Sequence, residues 1–124
     1  MKPNFILLCD SAEISENDKK LNIRGVFDSI NVPGFPAIHS SMCIVVNIEI
    51  PADQQNKQYM ESFRISCEGK EIGRDSTTFE PKNFRHQFIH RLQGFPVEKE
   101  GRYDVEILIG EKTVASSYFT VKKI

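Results

Sequence analysis

Apolar and polar residues alternate along several stretches of the chain, in the two-residue period of a β-strand with one buried face. The period is clearest in Met42–Ile50, and it recurs in Tyr59–Cys67 and in Phe84–Leu92. In the first of these stretches one face carries Met42, Ile44, Val46, Ile48 and Ile50, and the other carries Cys43, Val45, Asn47 and Glu49. The shorter apolar run Asn4–Cys9 predicts a buried first strand.

Turn and loop residues separate these strands. Glu13–Lys20 is a charged stretch and predicts a solvated loop, whereas Pro33–Ser41 carries prolines and predicts a crossover between strands. In Leu21–Val32 the apolar positions change phase near Gly25, which predicts a single strand with a β-bulge.

The last part of the chain predicts a hairpin. The alternating runs Tyr103–Ile109 and Thr113–Val121 flank the short connection Gly110–Lys112. The polar segment Arg74–Glu80 predicts a strand at the edge of a sheet, where it is a candidate for strand addition by another chain. About eight strands without an amphipathic helix predict an all-β fold, a two-sheet antiparallel β-sandwich forming one domain over residues 1–124. A closed barrel is the alternative.

Composition agrees with this fold class. The chain has 14 Ile, 8 Val, 9 Phe, 3 Tyr and 4 Thr, all strand-favouring residues, against only 4 Ala and 5 Leu. The formal net charge of −1 lacks the concentrated positive field that a protein needs for gripping phosphate backbones. We therefore do not expect a nucleic acid as the partner.

The cysteines and the apolar runs bear on the compartment. The longest apolar run near the start, Phe5–Cys9, is too short for a secretory signal or a membrane helix. Cys9, Cys43 and Cys67 form no Cys-x-x-Cys pair, so we expect three buried, reduced thiols and a cytoplasmic protein with no contact to a membrane.

Two resemblances add to this interpretation. Tyr103 begins the penultimate strand and resembles the tyrosine corner of immunoglobulin-like and fibronectin-like sandwiches, which implies a hydrogen bond from its hydroxyl to upstream backbone. The chain lacks the tryptophan and the cysteine pair of such domains. The pattern FxLLCDxA in residues 5–12, followed by LNxxGxFDxIxxPxFPAxH in residues 21–39, resembles a family of small bacterial proteins of unknown function. This second resemblance implies a single all-β domain of bacterial or phage origin, and it implies no activity.

Few residues suggest chemistry. His86 and His90 would lie about 13 Å apart on a strand, too far for one metal ion, and we expect them to be structural. Asp10 and Asp28 form a weak acidic pair if their strands are neighbours, although Asp followed by Ser is more typical of a turn. The standard nucleotide, hydrolase and zinc-protease motifs do not occur, so we expect no catalytic residue, metal or cofactor, and no enzyme.

The remaining candidates are binding residues. The triplets Gly34–Pro36 and Gly94–Pro96 repeat the sequence Gly-Phe-Pro and predict two sheet corners, at which Phe35 and Phe95 either plug the core or form an apolar patch. A stripe that includes Arg85 and Arg91 predicts a solvated sheet face; a binding role would be towards an acidic protein or, less readily, an RNA strand. We expect a non-enzymatic binding or assembly module that engages another protein through loops or a sheet edge, and a homo-oligomer fits this function. The alternative is a small-molecule or saccharide binder, or less readily a small hydrolase, that uses the crossover with Asp10, Asp28 and His39.

Overall fold

The computed structural model describes residues 1–124 and is all-β, with 72% of the residues in strands and no α-helix. The nine strands are β1 Lys2–Ile14, β2 Leu21–Val26, β3 Ser29–Val32, β4 Ala37–Glu49, β5 Tyr59–Cys67, β6 Lys70–Phe79, β7 Arg85–Val97, β8 Gly101–Ile109 and β9 Lys112–Lys123. A single 3₁₀ turn, Ala52–Gln54, links β4 to β5. No helix has the length and apolar character needed to cross a bilayer.

The strands form two sheets. Sheet I has four strands in the order β2-β1-β4-β7, and sheet II has five in the order β3-β9-β8-β5-β6. All neighbours pair antiparallel except β3 and β9, which are parallel. One of the two sheets curls strongly into a half-barrel. Each sheet ends on both sides in a strand that pairs with one neighbour only. These edge strands are β2 and β7 in sheet I and β3 and β6 in sheet II.

The main hydrophobic core lies between the sheets and contains 21 buried residues. The alternation in β4 places Met42, Ile44, Val46, Ile48 and the following Ile50 in this core, as the sequence predicts. The opposite face of β4 is also buried at two positions, since Cys43 and Val45 join Cys9 and Ala12 in a second cluster of four. Sheet I is thus covered on both faces near its centre.

The segment Leu21–Val32 corrects one prediction. It is not a single bulged strand, because Leu21–Val26 pairs with β1 in sheet I and Ser29–Val32 pairs with β9 in sheet II. Asp28 lies at the transition, and its carbonyl accepts a hydrogen bond from Thr120 N–H at 3.0 Å. The phase change in the sequence therefore marks the point where the chain leaves one sheet for the other.

Two other boundaries also differ from the predictions. Only residues 33–36 of the expected crossover lie outside strands, because β4 begins at Ala37. The triplet Gly94–Pro96 lies inside β7 rather than at a corner, and β1 continues to Ile14, into the expected loop. The terminal hairpin and the edge position of Arg74–Phe79 are confirmed.

Tyr103 makes the hydrogen bond that its resemblance to a tyrosine corner implies. Its hydroxyl donates to the carbonyl of Lys99 at 2.8 Å, and the ring is buried against Phe119 and Phe95. This contact ties the start of β8 to the connection that precedes it.

Candidate interaction surface

Strand β7 is the longest edge strand of the protein. The sheet orders leave β2, β3, β6 and β7 with one neighbour each, and these strands have 6, 4, 10 and 13 residues. An edge strand presents backbone N–H and C=O groups that no ladder satisfies, which makes it a template for pairing with another chain. Its length makes β7 the edge with the most to offer a partner.

The ladder between β4 and β7 shows which residues of β7 face outward. Ile50 N–H donates to the Phe84 carbonyl at 2.7 Å, and the pairs from Ala37–Val97 to Glu49–Arg85 keep the same register. Because hydrogen-bonded pairs alternate along an antiparallel ladder, the even-numbered residues of β7 bond to β4. Up to Gly94, whose φ is +68°, the backbone groups of the odd-numbered residues therefore point to the open edge; these residues are Arg85, Gln87, Ile89, Arg91 and Gln93.

The edge predicted from the sequence, in β6, offers less. Gly110 N–H bonds to the Met60 carbonyl, so the same alternation leaves Arg74, Ser76 and Thr78 of β6 facing outward, and a register shift opposite Ile65 interrupts the pattern before Arg74. One of these donors, Ser76 N–H, already donates to Asp75 Oδ1 at 2.8 Å. A carboxylate that covers an edge donor is one way in which proteins protect an edge from pairing.

The inner face of β7 is fixed by a buried acid–histidine pair. His90 Nε2 lies 2.6 Å from Glu61 Oε2, which joins β7 of sheet I to β5 of sheet II across 29 residues of sequence. The Glu61 side chain is 0% exposed and that of His90 is 14% exposed. The second carboxyl oxygen, Glu61 Oε1, is buried without a hydrogen-bond partner.

Aromatic rings surround this pair. The His90 ring lies 4.9 Å from that of Phe63, and Phe79 contacts both His86, at 4.7 Å, and Phe88, at 4.9 Å. Burial lowers the pKa of His86, and the nearby charge of Glu61 opposes that shift. Both histidines are therefore packed inside the protein, where they hold the edge strand against sheet II.

Sequence analysis missed Glu61, although the signal was present. In Tyr59–Cys67 the odd-numbered Tyr59, Phe63 and Ile65 point inward, so Glu61 occupies an inward position by the same alternation. A carboxylate at a core position needs a partner. Only the packing of the two sheets identifies that partner as His90.

The outer face of β7 carries the arginines predicted as binding residues. Arg91 Nη2 donates to the Ala12 carbonyl at 2.9 Å, so Arg91 spans β4 and helps to hold sheet I. Arg85 is exposed and makes no ion pair. Between them, Ile89 packs against the second cluster, and Gln87 Oε1 accepts a weak hydrogen bond from Asn47 at 3.5 Å.

The predicted residues of the crossover lie at one end of the protein. Phe35 is half-buried against the core and lines a shallow surface depression formed by residues 31–40. His39 belongs to β4, where its ring meets Phe27 edge-to-face and its Nε2 is buried without a partner. Phe95 is only 4% exposed and packs against Phe119, so its ring is unavailable to an exposed patch.

The two aspartates lie where β2 leaves sheet I. The ladder places Asp10 opposite Gly25, and a Cβ atom on Gly25 would clash with the carboxylate of Asp10. Asp28 follows in the link to β3. Neither carboxylate hydrogen-bonds to the other or to His39, so the structure shows no contact that would make them an acid–base unit.

The cysteines are buried free thiols. Cys9 and Cys43 lie opposite each other in the β1–β4 ladder, and Cys67 belongs to the main core. Burial, reinforced by the neighbouring Cys43, raises the pKa of the Cys9 thiol to about 11. No group of three His, Cys, Asp or Glu side chains is placed to hold a metal ion.

A family of unknown function, DUF6941, matches residues 4–122, and the chain belongs to this family. This agrees with the resemblance to an uncharacterised all-β family that the amino-terminal pattern carries. No curated protein matches the chain in sequence.

One solved structure with a similar fold is the Pseudomonas fluorescens alkylpurine DNA glycosylase AlkC, bound to DNA containing an abasic site analog. The TM-score is 0.51 at 10% sequence identity. The match covers 94% of this chain but only 30% of that one, so this chain spans less than a third of the glycosylase. At this identity the likeness concerns the fold alone.

Proposed function

We propose that this member of the DUF6941 family is a non-enzymatic binding module that engages an extended protein segment along the open edge of β7. The observation that carries the proposal is the row of outward-facing backbone groups of Arg85, Gln87, Ile89, Arg91 and Gln93, in the longest edge strand of the protein. Main-chain hydrogen bonds would supply affinity, and the alternating side chains would supply specificity.

The strand is held in place before a partner arrives, which supports this proposal. His90 and its aromatic neighbours anchor the inner face of β7 to sheet II, while Arg91 anchors the outer face to β1. An edge that is already ordered loses little conformational entropy on binding, so more of the interaction free energy appears as affinity.

The proposal also includes the immunoglobulin-like sandwich and the cytoplasmic location that the sequence predicts. The two sheets would form one immunoglobulin-like sandwich domain, a view supported by the core between them and by the Tyr103–Lys99 hydrogen bond. Three buried free thiols are compatible with a reducing, cytoplasmic location.

The distribution of charge supports a protein rather than a nucleic acid as the partner. Many basic side chains at the surface are paired with acids, as in Arg64–Glu106, Arg102–Asp104 and Lys99–Glu68. Such pairing leaves little of the continuous positive surface that phosphate backbones require. Fluorescence anisotropy with a labelled DNA duplex at low salt tests this point, and tight binding that weakens steeply with salt would contradict it.

A small-molecule or saccharide binder that uses Asp10, Asp28 and His39 is the alternative. The unpartnered Nε2 of His39 favours it, although the depression nearby is shallow and open. A thermal-shift screen of ligands separates the two functions, because a ligand at 100 times its Kd stabilises the folded state by about 2.7 kcal/mol. Stabilisation that is lost in His39→Gln would favour the alternative.

The experiment for the proposed function blocks one edge at a time. Ile89→Pro removes an outward N–H of β7 without touching the ladder to β4, and Thr78→Pro does the same on β6. We expect partners cross-linked to the native chain in its source cells to be retained by Thr78→Pro and lost by Ile89→Pro, with both variants folded by circular dichroism. Equal retention by the two variants would contradict the proposal.

A further inference from the structure

We infer that the segment bound by the β7 edge is the β7 strand of a second copy of this chain, paired antiparallel about a two-fold axis at Ile89. The inference rests on the proposed function, because it names the partner of the same edge. It follows from the register of the outward backbone groups and from the side chains that this register brings together.

The outward groups of β7 are self-complementary. An axis at Ile89 pairs Ile89 with its own copy, Gln87 with Arg91 of the partner subunit, and Arg85 with Gln93 of the partner subunit. All these residues have odd numbers, so every pair is of the hydrogen-bonded kind and none of the ladder to β4 is disturbed. About ten backbone hydrogen bonds form, and they use all the outward groups from Arg85 to Gln93.

Charge selects this register over its neighbours. With the axis at Ile89, each arginine lies opposite an uncharged glutamine, while the guanidinium of Arg91 keeps its hydrogen bond to the Ala12 carbonyl. A shift by one residue pair in one direction places Arg85 opposite Arg91 of the partner subunit, and like charges directly opposite each other are destabilising. A shift in the other direction places Ile89 opposite Arg91 of the partner subunit, and Arg85 then no longer lies opposite a glutamine.

The same register also covers exposed apolar surface. It places Phe84, which is 65% exposed, opposite Gly94 of the partner subunit. Gly94 has no side chain, so it leaves room for the ring. The phenylalanine ring of each copy thus covers a glycine of the other, as aromatic residues do beside glycines in sheets.

Nothing in the overall charge of the chain opposes self-association. The formal net charge is −1, so two copies repel each other only weakly. The β6 edge lacks these advantages, because it has fewer outward residues and Asp75 covers the Ser76 donor. A two-fold pairing is closed, so it ends at the dimer and leaves no β7 edge available for further growth.

Sedimentation velocity of the purified full chain tests the inference, from about 0.1 to 100 μM. We expect a monomer–dimer equilibrium. Gln87→Glu places a carboxylate opposite Arg91 of the partner subunit and lowers the dimer Kd by about three- to tenfold, whereas Gln87→Arg raises it by a similar factor. Residues 87 and 91 of one chain are about 13 Å apart on the strand. The opposite effects of the two variants on the dimer Kd therefore arise from charges on different subunits.

A cross-linking experiment tests the position of the axis. Ile89→Cys places two thiols directly opposite each other, within the range of Cα separations that a disulfide spans, so mild oxidation gives a covalent dimer on a non-reducing gel. Ile23→Cys is the matched control, since Ile23 packs against the same small cluster but lies in β2 at the far edge of sheet I. The native cysteines are buried, so they do not form cross-links between subunits.

Each outcome is decisive for the inference. A native chain that remains monomeric over the whole concentration range overturns it, as does equal cross-linking of Ile23→Cys, or a response to Gln87→Glu and Gln87→Arg that has the same sign. A monomer would still leave the edge open to a different protein. In that case the comparison of Ile89→Pro with Thr78→Pro decides the proposed function separately.

Discussion

Replacing His90 with phenylalanine isolates the contribution of the buried Glu61–His90 pair to stability. The hydrogen bond at 2.6 Å is the only one that the Glu61 carboxyl makes, since its Oε1 has no partner. A phenylalanine ring is planar like the imidazole, though somewhat larger, and it meets the same neighbours, Phe63 and Phe88, so most of the packing is conserved. The variant therefore leaves a fully buried carboxyl group without any hydrogen bond.

The expected cost is large. Leaving a buried polar group without its hydrogen bond costs about 1–3 kcal/mol, and more when the group is charged, because the group stays desolvated and unsatisfied. The whole free energy of unfolding of a domain is about 5–15 kcal/mol, so His90→Phe removes a substantial part of it. The double variant Glu61→Met with His90→Phe removes both polar groups, and we expect it to recover most of the loss.

Urea unfolding followed by circular dichroism measures these differences. With a urea dependence of about 1–3 kcal/mol per molar, the midpoint for His90→Phe falls by on the order of 1 M. His86→Phe is the matched control, since His86 has the same strand, face and aromatic surroundings but makes no hydrogen bond to Glu61. We expect that control to cost less than about 1 kcal/mol near neutral pH.

Equal costs for His90→Phe and His86→Phe would refute the stabilising role of the Glu61–His90 hydrogen bond, as would a cost below about 1 kcal/mol for His90→Phe. A double variant that is less stable than His90→Phe alone would also refute it. That result would mean that Glu61 stabilises the interface between the sheets without its histidine.

Three further predictions concern other parts of the molecule. Burial lowers the pKa of His86, so the folded protein binds fewer protons there than the unfolded chain; stability is greatest above about pH 6.5 and declines as the pH falls below it. Thermal melts from pH 8 to pH 5 should show this decline reduced in His86→Phe. Gly25→Ala meets both a φ of +66° and the carboxylate of Asp10, and we expect a loss of about 1–3 kcal/mol in urea unfolding, only partly recovered by Asp10→Ala, because the backbone strain remains. A raised pKa and full burial make the Cys9 thiol unreactive, so a thiol reagent should label it only under denaturing conditions; labelling of the native protein at neutral pH would contradict this burial.

The edge of β7 illustrates how far the sequence alone reaches. Alternation in Phe84–Leu92 predicts a strand and divides its side chains correctly, with Phe88 inward and Arg85 and Arg91 outward. It does not show that this strand lies at an edge, because position in a sheet depends on which strands pair. Polarity suggested β6 as the binding edge, yet Asp75 covers part of that edge and β7 is longer.

The acid–histidine pair shows a second limit. The two-residue alternation along each strand shows that residues 61 and 90 face inward. It does not show which residue of the opposite sheet each of them meets. Their contact requires β5 and β7 to lie across the core from each other, which the order of strands in both sheets determines. The residues of β5 or of β7 alone do not show that order of strands.

The sequence by itself determined the class of fold, the core-facing side chains of β5 and β8 and of most of β4 and β7, the terminal hairpin and the burial of the thiols, because all of these depend on neighbouring side chains. Only the tertiary structure decided that the chain changes sheets at Asp28, that Gly94–Pro96 lies within a strand, and that β7 forms an open edge. These features depend on pairing between segments that are far apart in the chain. Such pairing is selected by the packing of the whole core, and a local pattern of residues does not record it.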